Sequence, residues 1–441
     1  MYDIEADIQS GTEAVDAIVL GAGISGLVSA SILLNQGYQR VLIVDEYDHV
    51  GGNHIDVQIG EYTFDIGSFI FQDDSPLLRH LPELLPLYCR VNPTWGRLNP
   101  QGRVTRYPIS IKDDLIASGI LECLRILSSV VFARIFRRKL RNARDFAQFW
   151  IGARLLHRSG LEHYMERFYG LAPDRIDLSF AEKRMRWIRE RASIRQFWSF
   201  FRWPKVGSPV IRNRQLARPR EGFAYLYQDA VQRLEQNGAE FFLGATLRSL
   251  FKRANSLVLT AGERRIRAER VISTIPLDRC LALCGLNEEH NLETVTLMSL
   301  FFSFDGNRGF SDSILYNFSH SGSWKRLTVY SDFYGRANGR EFFAVEVNAD
   351  HVAGSIERAA QQFREHIAAN SLFAGDLCLE GSRTLANAYP IYTKNAEQRS
   401  TKAIEALRSF GVQTIGRQGA FDYQPTAQVT TLKAERALSR G

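Results

Sequence analysis

The 441 residues are 45% hydrophobic and 23% charged, the balance of a soluble globular protein with room for two or three structural units. Five cysteines without a C-x-x-C pair fit a reducing cytosol, and nine histidines without an H-x-x-x-H pair predict no metal site. The net charge of +7 is concentrated between Lys183 and Arg220, where 12 Lys or Arg face one acid, Glu190, with Trp187, Phe197, Trp198, Phe200, Phe201 and Trp203 interleaved. No nucleic-acid module pattern accompanies this stretch. The expected partner is a small anionic substrate or an anionic lipid headgroup rather than nucleic acid, with a solvated basic face as the plain alternative.

In chain order, residues 1–14 carry Asp3, Glu5, Asp7 and Glu13 without an apolar run, which reads as a disordered leader and not a secretory signal. Ala17 to Leu20 is a buried strand that runs into Gly21, Gly23 and Gly26. This G-x-G-x-x-G spacing turns a strand into a helix: Gly21 permits the tight turn, Gly23 lets backbone approach a pyrophosphate, and Gly26 lets the helix pack on the strand. The free N–H groups of the first helical turn, at Ile24 and Ser25, face the anion. The helix spans 24–36 and stops at Gly37. A second strand, Val41 to Val44, delivers Asp45, where a carboxylate can accept both ribose hydroxyls, with Glu46 in reserve. Six residues further on stand Gly51-Gly52-Asn53.

This pair of glycine motifs resembles the FAD-binding family that includes amine oxidases, protoporphyrinogen oxidases and UDP-galactopyranose mutases. The resemblance implies FAD as cofactor, and it extends from about residue 15 to 438. After Asn53, short strands around Gly60 lead to Asp65-Ile66-Gly67-Ser68, where Gly67 and Ser68 are expected along the flavin. The mutases typically carry a G-x-H-x-F-H element there; this chain has Gly67-Ser68-Phe69-Ile70-Phe71-Gln72, without either histidine. Arg106-Tyr107-Pro108-Ile109 is similar to the element that opens the family's substrate region. Leu115 to Phe136, mostly apolar and followed by Arg137, Arg138, Lys139, Arg141 and Arg144, fits two readings. One is a helix docked in a helical domain; the other is an interfacial helix giving peripheral membrane contact through 115–144.

Apolar spacing of three and four continues from Phe146 to Leu156. Arg184 then falls nearest the family's substrate-site arginine. Leu247 matches a strand whose backbone contacts adenine, and Thr274 lies in the Thr-x-Pro turn at the adenosine end. From Glu293 to Val347, β-rich runs separated by Gly, Asn and Asp read as an antiparallel sheet. Within it, Arg326 aligns as a second anion ligand, and Ala388-Tyr389-Pro390-Ile391-Tyr392 resembles an element whose tyrosines reach substrate phosphate. For Arg184 and Arg326 the alternative is surface charge, and for Tyr389 and Tyr392 a packed aromatic. At the C-terminal end, Gly416-Arg417-Gln418-Gly419 with Tyr423 resembles the segment that returns across the flavin, followed by a helix offering Gln428 and Val429 at its start.

The resulting expectation is an α/β protein. Its discontinuous Rossmann-type FAD-binding domain covers 15–75, 218–285 and 378–441, with a helical insertion at 106–190. An antiparallel β-sheet substrate domain takes 76–105, 191–217 and 286–377. The expectation is a cytoplasmic flavoenzyme with flavin N5 as reactive centre; a homodimer and peripheral contact with the inner membrane face are separate further expectations. An oxidoreductase on an anionic substrate such as a nucleotide-activated sugar is the leading reading. A sugar-nucleotide mutase and a non-catalytic flavin-binding or membrane-surface protein are the alternatives.

Overall fold

The computed structural model describes residues 12–67, 69–108, 114, 119–185, 188, 214–286 and 290–439. Five parallel strands form one sheet in the order Ala239–Phe242, Val41–Val44, Ala17–Leu20, Arg270–Ser273 and Val412–Thr414. Strands Ala17–Leu20 and Val41–Val44 are apolar throughout because both faces are covered. On one face lies helix Ile24–Asn35, backed by helix Ala427–Leu438. On the other, Leu250, Leu259 and Ile266 of a four-stranded sheet seal Ile18, Leu20, Leu42 and Val44. That smaller sheet corrects the leader expectation in part: Thr12–Ala14 is a strand paired in parallel with Arg264–Ala268. Glu13 is held there by Arg40 and Arg264, both at 2.7 Å.

A seven-stranded sheet makes the second body, in the order Phe373–Ile391, Glu293–Arg308, Glu341–Asn348, Trp324–Val329, Ile314–Asn317, Trp95–Leu98 and Val104–Arg106. Only the contact between Ile314–Asn317 and Trp95–Leu98 is parallel. Met298, Phe302, Trp324, Leu327, Phe343 and Val345 line one face and bury Phe363 and Ile367 of helix Ile356–Ala369. The opposite face packs on strand Tyr62–Ile66, with Phe301 stacked on Phe64. Residues 378–391, assigned from sequence to the dinucleotide-binding part, belong to the long edge strand of this sheet, so the chain leaves it later than expected.

Helices Ile120–Phe136, Ala143–Arg158, Leu161–Tyr169 and Leu178–Arg184 form the helical insertion. Asn142 caps the second by accepting from the Asp145 N–H at 2.9 Å, and Asp177 caps the fourth by accepting from the Ser179 N–H at 2.8 Å. Arg97 ties the insertion to the seven-stranded sheet. Its fully buried guanidinium pairs with Asp114 and donates to the Ser159 carbonyl at 3.0 Å. No helix among the described residues is long and apolar enough to cross a membrane.

A candidate dinucleotide and substrate cavity

The parallel sheet creates the first half of the site because its central strand must stop where the next helix begins. Gly21 takes φ +103°, and a Cβ there would lie 2.3 Å from the Thr274 hydroxyl. A Cβ on Gly26 would lie 1.8 Å from the Gly21 carbonyl, so strand and helix approach at a distance only glycine allows. The second glycine pair packs on the first, with Gly23 and Gly51 forming a β-bridge. Asp45, at the end of the neighbouring strand, accepts from the Ala22 N–H at 2.6 Å and the Tyr47 N–H at 2.9 Å, although burial pushes its carboxyl pKa up. The carboxylate thereby holds the glycine turn while facing the cavity.

That cavity has a volume of about 830 Å³ and runs from the glycine turn to the seven-stranded sheet, a size suited to a large cofactor plus a small substrate. Of the residues singled out from sequence, Gly21, Gly23, Ile24, Ser25, Asp45, Glu46, Gly51, Gly52, Asn53, Gly67, Thr274, Arg417 and Tyr423 line it. So do Arg326 and Tyr389 at the far end. Gly26 and Gly416 stand behind the wall, where Gly416 packs against Ser25. Ser68 and the side chain of Arg184 lie outside the described residues, as does most of the basic and aromatic stretch between Lys183 and Arg220.

Other positions named from sequence do not line this cavity. Leu247 does not line the cavity; its carbonyl accepts from Arg279 at 2.7 Å, and Arg279 pairs with Glu46 at 2.7 Å. Tyr392 is also outside, with its hydroxyl donating to the Phe421 carbonyl at 3.1 Å and accepting from the Tyr423 N–H at 2.7 Å. At the last helix, Thr426, Ala427 and Thr430 face the cavity instead of Gln428 and Val429. Thr426 is the N-cap, accepting from the Val429 N–H at 3.3 Å, so the helix start points inward through the residues flanking the expected pair.

The far end is made from side chains. Trp324 pairs with Val347 and Arg326 with Glu346, which leaves Lys325 as an extra residue in a β-bulge. On a regular strand Lys325 and Arg326 would point to opposite faces. Here both reach Glu346: Lys325 at 3.1 Å, and Arg326 through a charge-assisted hydrogen bond. Arg326 also donates to the Gly67 carbonyl at 2.5 Å, and Lys325 to the Tyr389 hydroxyl at 2.9 Å. Tyr389 passes its own proton donor to the Phe168 carbonyl at 2.7 Å. Burial alone would lower both cations' pKa values and raise that of Glu346, but their mutual attraction outweighs it; Lys325 and Arg326 move up and Glu346 moves down. The trio keeps one net positive charge.

Between the two ends sits Arg417, deeply buried and paired with no carboxylate among the described residues; burial pushes its pKa down. His54, stacked on Phe223 with centroids 5.2 Å apart, shares a 2.7 Å hydrogen bond with Tyr227. Burial and then the Arg417 charge push its pKa down to about 3, so the imidazole is neutral. Tyr107 stacks on Tyr316 at 4.0 Å, and Tyr164 and Phe168 complete an aromatic wall. Lys325, Glu346, His54, Tyr164 and Tyr316 were not identified from sequence as site residues; their convergence depends on strand pairing between distant segments.

Residues 19–83 match the NAD(P)-binding Rossmann-like domain family. A UDP-galactopyranose mutase of Mycoplasma genitalium is 56% identical over 41 residues, which cover 9% of this chain and 10% of that protein. The curated relatives are therefore matched over a small part of their length. Among solved structures, reduced UDP-galactopyranose mutase superposes with a TM-score of 0.76 at 17% identity, covering 97% of this chain and 94% of the other. A protein assigned as protoporphyrinogen oxidase from Exiguobacterium sp. 255-15 gives 0.72 at 15% identity, covering 98% and 99%. The chain thus carries a Rossmann-like dinucleotide-binding segment within the overall fold of UDP-galactopyranose mutase and protoporphyrinogen oxidase.

Proposed function

We propose that the protein is an FAD-dependent oxidoreductase acting on an anionic polar substrate of the nucleotide-sugar class. The observation that carries this reading is the single cavity joining a glycine-built phosphate cradle to a buried, net-positive cluster of Lys325, Arg326 and Glu346. The donor set fits FAD. Gly21, Gly23 and the start of helix Ile24–Asn35 would hold the pyrophosphate, Asp45 the adenosine ribose, and Arg417 the negative charge of the flavin or pyrophosphate. FAD would supply two-electron chemistry at flavin N5, the reactive centre of this reading.

The chain's own residues would bind and orient. Arg326 is fixed by Glu346 and the Gly67 carbonyl and lines the cavity, where its charge would attract a substrate anion. Tyr107, Tyr164 and Tyr316 are buried phenols whose pKa values rise, so they remain neutral hydrogen-bonding walls suited to a sugar. Neutral His54 cannot act as a cationic acid near pH 7.

A mutase is the second reading, favoured by the similarity to UDP-galactopyranose mutase along nearly the whole chain. The test begins with the visible spectrum of purified protein and its anaerobic titration with nucleotide sugars. Bleaching of oxidised flavin by a substrate supports the oxidoreductase; isomerisation only after dithionite reduction, with flavin still reduced afterwards, supports the mutase. Protein that neither retains nor takes up FAD refutes both.

A further inference from the structure

We propose that His157, His163 and His320 form a binding site for one divalent transition-metal ion, with zinc as the fitting metal. The three side chains offer ring nitrogens within 4.8 Å of one another, and the His157–His320 and His163–His320 ring centroids lie 4.5 and 4.8 Å apart. They come from three elements: the last turn of helix Ala143–Arg158, the first turn of helix Leu161–Tyr169, and the turn between strands Ile314–Asn317 and Trp324–Val329. Three imidazoles with a fourth position open to water are a recognised zinc donor set, drawn together by small side-chain rotations.

The framework beneath these histidines is fixed. Gly160 lies between the two helices at φ +72°, where a Cβ would stand 1.6 Å from the Phe318 carbonyl, so the helical turn rests directly on the turn bearing His320. Arg167, one helical turn beyond His163, donates to four carbonyls of that turn: Gly322 at 2.7 Å, Ser319 and Ser321 at 2.8 Å, and Asn317 at 3.2 Å. From the other side His366 receives the Trp324 indole N–H at 2.9 Å and bonds the Ser319 hydroxyl at 2.9 Å. Glu162, the neighbouring carboxylate, is engaged by Arg144 at 2.6 Å. A metal here would clip the helical insertion to the seven-stranded sheet, directly behind Tyr164 of the cavity wall.

Full-length protein dialysed with zinc chloride, then against metal-free buffer, should retain about one zinc per chain, and its thermal midpoint should rise relative to chelator-treated protein. His163→Ala and His320→Ala should each weaken zinc binding at least tenfold while matching the wild-type midpoint in chelator. Cobalt(II) should give the absorption of a tetrahedral centre in the wild type alone. Retention of no zinc, or equal binding by the variants, overturns the site.

A different observation carries a second proposal: the outer face of helix Ile120–Phe136 lies on an anionic lipid surface. Ile120, Leu121, Leu124, Leu127, Val131, Phe132, Ile135 and Phe136 are all exposed, eight of the twelve exposed large apolar residues among those described. They cover roughly half the helix circumference, while Ile126 and Ala133 dock the other side. Monomeric surfaces rarely leave such a patch open. Exposed Arg137, Arg138, Lys139 and Arg141 follow at once, and this basic collar is the complement of anionic headgroups rather than of a second identical face. The protein should cosediment with vesicles containing phosphatidylglycerol but not with phosphatidylcholine alone. Leu127→Glu with Phe132→Glu, or Arg138→Glu with Lys139→Glu, should reduce binding at least tenfold. Failure to bind overturns the proposal, as does a concentration-dependent dimer abolished by the apolar pair of substitutions.

Discussion

The two ends of the cavity are built from different materials. The glycine end presents backbone, organised by parallel strands and the helix that follows them, whereas the sheet end presents side chains, gathered across antiparallel strands. In the first, a Cβ on Gly21, Gly26 or Gly51 would fall 2.3, 1.8 or 2.8 Å from a neighbouring atom. In the second, shape matters less than charge balance: Glu346 neutralises only one of two buried cations. Substitutions should therefore fail for steric reasons at one end and electrostatic reasons at the other.

The largest effect is expected from Gly26→Val. Its Cβ would meet the Gly21 carbonyl, and neither backbone can yield without parting strand and helix. The protein should lose flavin retention and more than about 3 kcal/mol of stability, read from the flavin-to-protein absorbance ratio and a urea transition. A well-folded variant with normal flavin content would break the contrast.

Next in size is Glu346→Gln, which leaves Lys325 and Arg326 buried without a counter-charge and should cost about 3–5 kcal/mol. The pH dependence follows from the depressed Glu346 pKa. A carboxyl whose folded pKa lies below its unfolded value stabilises the fold above the unfolded value, and this contribution is lost as pH falls through the folded one. Wild-type unfolding free energies measured below about pH 4.5 should fall more steeply than those of Glu346→Gln. Parallel slopes would remove Glu346 from the charge balance.

Arg417→Met sharpens the comparison in the opposite direction. Because this arginine has no carboxylate partner among the described residues, the ligand-free fold should keep its stability to within about 1 kcal/mol, while flavin binding weakens by about 10- to 100-fold, the worth of a charge-assisted contact. Equilibrium dialysis against FAD measures it. Tyr392→Phe should have the smallest effect, near 1 kcal/mol of stability with unchanged flavin and substrate affinity, since its hydroxyl bridges Phe421 and Tyr423 outside the cavity.

The same contrast governs what could be read from the chain alone. Gly21, Gly23, Gly26 and Asp45 are legible because a strand-to-helix turn around a phosphate demands those residue types at those spacings. Arg326 and Tyr389 were reachable through resemblance. Lys325 and Glu346 were not: their meeting depends on the register Arg326↔Glu346 and on one bulge, neither of which has a local sequence mark. His157, His163 and His320 were invisible for a related reason, since no short-range spacing joins residues brought together by a turn resting on Gly160. Tyr389 and Tyr392 lie close in sequence, yet of the two only Tyr389 lines the cavity.

The bulge also makes the charge of the far wall a matter of chain length. Removing Lys325 alone would restore regular alternation, with Trp324 still in the core and Arg326 still opposite Glu346. The far wall would then hold one cation and one anion. On the proposed reading, a single-codon deletion would retune the pocket from anionic toward uncharged ligands while leaving the glycine cradle untouched.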